Sequence, residues 1–108
     1  MIATKSPCTI SNAAHERVRE LECRQIVTQI FDHVIETIAG VLRIELNIDV
    51  HDVQRHQVLF VDIFFSSATF LERREHERML LNWAHATFGP DTAPHFCFSG
   101  ISEGGDED

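Results

Sequence analysis

Positive charge is scarce in this chain, cysteines are few, and long apolar runs are missing. Each shortage removes a class of function. Nucleic-acid binding needs clustered cations that release counterions from phosphates. Here 9 Lys and Arg face 17 Asp and Glu, for a formal net charge of −8. No apolar stretch approaches the roughly 18–20 residues that cross a bilayer. The opening segment Met1–Pro7 has neither the apolar centre nor the cleavage site of a signal peptide. The chain is therefore expected in the cytoplasm, bound to neither membrane nor nucleic acid. Cys8, Cys23 and Cys97 are widely spaced and contain no CxxC pair. That excludes a disulfide framework and fits free thiols in a reducing compartment. Also missing are a phosphate-cradling glycine loop, a GxSxG elbow and an HExxH helix.

What remains fits one small domain. A length of 108 residues lies within the usual single-domain range, and 44% hydrophobic residues is ordinary globular usage. Residues 1–10 read as an irregular arm, in which Cys8-Thr9-Ile10 can add a short edge strand. Residues 11–101 are expected to form the domain. Residues 102–108, with Glu103, Asp106, Glu107 and Asp108, read as a disordered acidic tail.

Ser11 or Asn12 can cap a helix that runs to about Ala39, with Gly40 free to turn left-handed and end it. Val27, Ile30, Phe31, Val34, Ile35 and Ile38 form one apolar stripe. At 100° per residue, Ala14, Val18 and Leu21 fall on nearly the opposite side. One straight helix cannot press both stripes into one core. The segment must break near Glu22–Gln25, or its first half must meet something else.

Val41–Val50 alternates as a strand, with Leu42, Ile44, Leu46, Ile48 and Val50 on one face. His51–His56 reads as a hairpin loop. The next strand, Gln57–Phe65, differs in kind. Leu59, Val61, Ile63 and Phe65 fill one face, and Val58, Phe60 and Phe64 flank Asp62 on the other. A strand apolar on both sides is normally covered on both sides. Thr69 and Glu72 have capping-box spacing before a helix that Gly89-Pro90 ends, and Pro94 opens a last strand over His95–Ser99. The reading is an α+β fold of order α-β-β-α-β, a small antiparallel-containing sheet with helices packed on one face. A strand at residues 8–10 would make it β-α-β-β-α-β, the ferredoxin-like order.

Seven histidines invite metal and acid–base readings. Asp49, His51, Asp52 and His56 gather at the loop, but their spacing matches no known site. His76, His85 and the Asp32–His33 pair show no second catalytic partner. Cys97 with His95 lacks the orienting group that nucleophilic catalysis needs. The run Glu72–Arg78 neutralises itself at helical spacing: Arg73 or Arg74 with Glu77, and Glu75 with Arg78. No metal, cofactor or catalytic residue is expected.

The expected function is that of a non-enzymatic protein-binding module. It would act as a small regulatory inhibitor, docking on and sequestering a larger protein such as a transcription regulator or an enzyme, in the manner of an antiactivator. Val58, Phe60 and Phe64 are the candidate anchors, with Val18 and Leu21 as a second patch, and a homodimer is expected. Two alternatives stand beside it. One is a small enzyme or ligand-binding domain with a pocket between sheet and helices, marked by a closed cavity lined by His76, His95 or Cys97. The other is an acidic nucleic-acid mimic.

Overall fold

The computed structural model describes residues 8–48, 58–66 and 68–103. The chain forms strand β1 (Cys8–Ile10), helices α1 (Asn12–Leu21) and α2 (Arg24–Thr37), strands β2 (Val41–Asn47) and β3 (Leu59–Phe65), helix α3 (Phe70–Phe88) and strand β4 (Phe96–Ser102). A 3-10 turn at Ala93–His95 leads into β4. The fold is α+β. Its order is β-α-α-β-β-α-β, so the expected α-β-β-α-β gains a leading strand and a divided first helix.

The division resolves the phase conflict between the two apolar stripes. Ser11 caps α1 by accepting from the Ala14 amide at 3.2 Å. At the other end Glu22 adopts a left-handed conformation (φ 54°), and the Cys23 amide closes on the Val18 carbonyl at 3.2 Å. The chain turns there, and α2 starts afresh at another angle. Ala14 and Val18 from α1 then join Val27, Ile30 and Val34 from α2 in one core. α2 ends at Thr37, short of the expected Ala39, with Ile38 already extended, and the left-handed Gly40 (φ 82°) serves the turn into β2 instead of capping the helix.

All four strands form one sheet in the order β1-β2-β3-β4. β1 runs parallel to β2, β2 antiparallel to β3, and β3 parallel to β4. Residues 8–10 thus form the edge strand that Cys8-Thr9-Ile10 offered, in place of the last part of the expected irregular arm, whose residues 1–7 lie outside the described residues. Its parallel partner, more than thirty residues away at Ile44–Leu46, leaves no trace in the local sequence. In a ferredoxin-like sheet another strand splits each βαβ unit. Here each crossover joins immediate neighbours, so the sheet is a different one.

One face carries the core. Ile44 and Leu46 of β2 pair with Ile63 and Val61 of β3, and Leu59 and Val61 pair with Phe96 and Phe98 of β4. All are buried. The helices pack on this face alone: Cys8 and Ile10 of β1 meet residues of α1 and α2 there, while Arg73 of α3 lies over Gly100 of β4. Because a hairpin reverses the chain between the two crossovers, keeping both on one face gives them opposite hands. One of them therefore winds left-handed, against a right-handed preference near 98%.

The strands also depart from expectation. β2 stops at Asn47, and an irregularity between Val41 and Arg43 turns Leu42 out of the apolar face to 43% exposure. At the far end β4 reaches Ser102, and Glu103 donates its amide to the Phe65 carbonyl at 2.9 Å. The first two residues of the expected tail are therefore ordered. The loop histidines His51 and His56, with Asp49 and Asp52, lie outside the described residues, as do residues 104–108.

Candidate functional site

Alternation along β3 divides its side chains between the two layers. Leu59, Val61, Ile63 and Phe65 turn inward, while Phe60, Asp62 and Phe64 turn to the face that no described helix covers. Their cross-strand neighbours complete a band through the middle of this face. Phe64 lies between Arg43 and Ile101, Asp62 between Glu45 and Ser99, and Phe60 between Asn47 and Cys97. Val58, Phe60 and Phe64 are each half-buried, and Cys97 is exposed.

Charge is organised around the rings. The Arg43 guanidinium sits 3.9 Å from the centre of the Phe64 ring and is held by Glu45 at 2.9 Å and Glu103 at 2.7 Å. Those two carboxylates raise the Arg43 pKa, and Arg43 in turn holds the Glu103 carboxyl below its ordinary value. Asp62 accepts from the Asn47 amide at 2.8 Å. Burial raises its carboxyl pKa, the Asn47 hydrogen bond opposes this, and Glu45 across the strand adds to the rise. An incompletely solvated acid between two phenylalanines gives this face a polar centre and apolar flanks.

The second expected patch does not form on the surface. Val18 is 6% exposed within the core, and Leu21 is half-buried beside it. The argument that placed them on an outer side assumed one continuous helix, and the break at Glu22 removes that assumption. Val18 is therefore withdrawn as an anchor.

The other candidates are dispersed. His33 of α2 stacks on Trp83 of α3, with ring centres 3.8 Å apart. His76 stacks on Phe65 at 5.5 Å, and its Nδ1 is buried without a hydrogen-bond partner. His95 lies in the 3-10 turn, not on the strand beside Cys97. Among the described residues, no three His, Cys, Asp or Glu side chains cluster as metal ligands would. No described helix is long and apolar enough to cross a membrane. On α3 the Thr69–Glu72 capping box forms in both directions, at 3.0 and 3.1 Å. Arg74 pairs with Glu77 and Arg78 with Glu75, while Arg73 instead donates to the Ala68 carbonyl at 2.7 Å.

Among the described residues, two open clefts lie beside the helices. Neither is lined by His76 or His95, whereas Cys97 does line the smaller one, which is not a closed cavity. The smaller, of about 440 Å³, lies where α3 meets the free edge of β4, beside Leu81, Phe96 and Phe98. Glu77 there accepts the outward Gly100 amide at 2.7 Å. The larger, of about 670 Å³, lies between β1, α1 and α2. Cys8, Ile10, Val18, Val27 and Phe31 give it apolar walls, and the exposed His15, Arg19, Glu22, Arg24 and Thr28 give it polar ones. Sequence reading missed this cleft, because it exists only where α1 turns away from α2. No family model, no curated protein and no solved structure matches this chain.

Proposed function

We propose that this protein is a non-enzymatic binding domain that docks on another polypeptide through the open face of its sheet, and so sequesters its partner. The observation that supports this reading is the middle strand. Phe60 and Phe64 stand in the centre of a four-stranded sheet, on a face that no described helix covers. Covering a phenylalanine contributes about 1.5–3 kcal/mol when the ring passes from water to a packed contact. Aromatic centres ringed by polar groups are the usual anatomy of a docking surface. Arg43 suits such a rim, since a guanidinium can keep its ring contact while its carboxylate partners exchange.

The test uses the exposed thiol of Cys97, which lies in register with Phe60. A photo-crosslinker placed there in a Cys8→Ser background should trap a second copy or a heterologous partner. Phe60→Asp and Phe64→Asp should abolish the adduct while thermal melting remains cooperative. Sedimentation velocity separates the two partners, because a homodimer dissociates on dilution and a heterologous complex needs the second protein. An adduct that survives both substitutions, or a crosslinker that traps nothing in the native cell, would end the reading.

A further inference from the structure

We propose that the cleft between β1, α1 and α2 binds a small amphipathic monoanion, a carboxylate carried on an aliphatic or aryl body. The cleft belongs to the helix layer, away from the open sheet face, and its ligand is independent of the docking proposed above. At about 670 Å³ it lies within the range of small-molecule sites. Its apolar walls come from Ile10, Val18, Val27 and Phe31.

Its polar walls are cationic in a chain of net charge −8. The other described arginines are engaged: Arg17 with Glu20, Arg43 with Glu45 and Glu103, Arg73 with the Ala68 carbonyl, Arg74 with Glu77, Arg78 with Glu75. Arg19 and Arg24 form no ion pair among the described residues, although both stand at this cleft. The start of α2 opens here as well. Cys23 gives it no side-chain cap, and its first turn carries no acidic residue. Free amides and the helix dipole add about half a positive charge at such an end. Glu22 lines the same cleft and subtracts one charge. The C-terminus of α1, which ends at this same turn, subtracts about half a charge more, so about one positive charge remains, which suits a monoanion better than a phosphate dianion. An arginine fork grips a carboxylate through two parallel hydrogen bonds.

Decanoate and its neutral isostere decanamide are suitable probes, titrated into the whole protein by calorimetry and by amide chemical-shift mapping. Decanoate should bind at least about tenfold more tightly than decanamide, as expected for a charge-assisted pair. Its shifts should centre on Val18, Val27 and Phe31, leaving Phe60 and Phe64 unmoved. Arg19→Ala with Arg24→Ala should erase the preference, Arg78→Ala should preserve it, and Glu22→Gln should strengthen it. Both cleft arginines are exposed, so their loss leaves the core intact. Equal affinity for the two probes, no binding at millimolar concentration, or a loss with Arg78→Ala as large as with that pair would overturn the proposal.

Discussion

The imidazole of His33 lies parallel to the indole of Trp83, ring centres 3.8 Å apart and planes inclined by 3°. This contact joins α2 to α3, the helices of two separate crossovers. Burial lowers the His33 pKa from 6.5, and Glu36 opposes the shift. The folded protein thus holds this proton less tightly than the unfolded chain. Stability from this site is full above 6.5 and falls as the pH drops below it. Trp83 is the single tryptophan, so its emission reports the stack. Emission should titrate with a midpoint below 6.5, and His33→Ala should abolish that step. Attraction of a cation to the indole face limits the size of the loss. A midpoint above 6.5 would contradict the assignment.

Glu22 holds a left-handed conformation that costs an L-residue about 1–2 kcal/mol. Glu22→Gly should stabilise the fold by about 0.5–1 kcal/mol, after allowing for the freedom glycine adds to the unfolded chain. Urea unfolding measures this directly. Destabilisation would mean that the Glu22 side chain supports the turn by a route other than its backbone.

Asp62 titrates in the opposite sense to His33. Its raised carboxyl pKa means that the ionised group detracts from stability at neutral pH. The deficit disappears as the pH falls below the ordinary value of 3.8. Asp62→Asn keeps an acceptor for Asn47 and removes the charge. The variant should be more stable than the native chain at neutral pH and no more stable well below 3.8. Chemical denaturation at the two pH values tests both halves of the statement.

Glu77 ties α3 to the edge strand by accepting the Gly100 amide. Glu77→Ala should cost about 1.5–3 kcal/mol, in the range of hydrogen bonds to charged groups. It also frees an edge amide on β4, and exposed edges recruit other strands. Light scattering of the variant on warming should therefore rise earlier than that of the native chain.

Much of the fold was legible in local chemistry. Ser11, Thr69 with Glu72, and Gly89 each mark a boundary that the structure keeps, because caps depend on a few adjacent residues. The opposed stripes of Val18 and Val27 called for a break, and the structure supplies one at Glu22. The topology was hidden, since parallel pairing of Thr9 with Glu45 leaves no short-range trace. The candidate face was legible in part. Alternation placed Phe60 and Phe64 correctly on a face apart from the core, whereas Val18 was misplaced because its outward direction depended on a helix that does not continue. Arg19 and Arg24 carried no visible signal, because the absence of an ion pair becomes apparent only in three dimensions.

The opposite winding of the two crossovers has an evolutionary corollary. A right-handed unit cannot be superposed on a left-handed one by any rotation that keeps the chain direction. Copying β1-α1-α2-β2 end to end could not have produced β3-α3-β4. The two halves differ in their helices as well, a bent pair in one and a single long rod in the other.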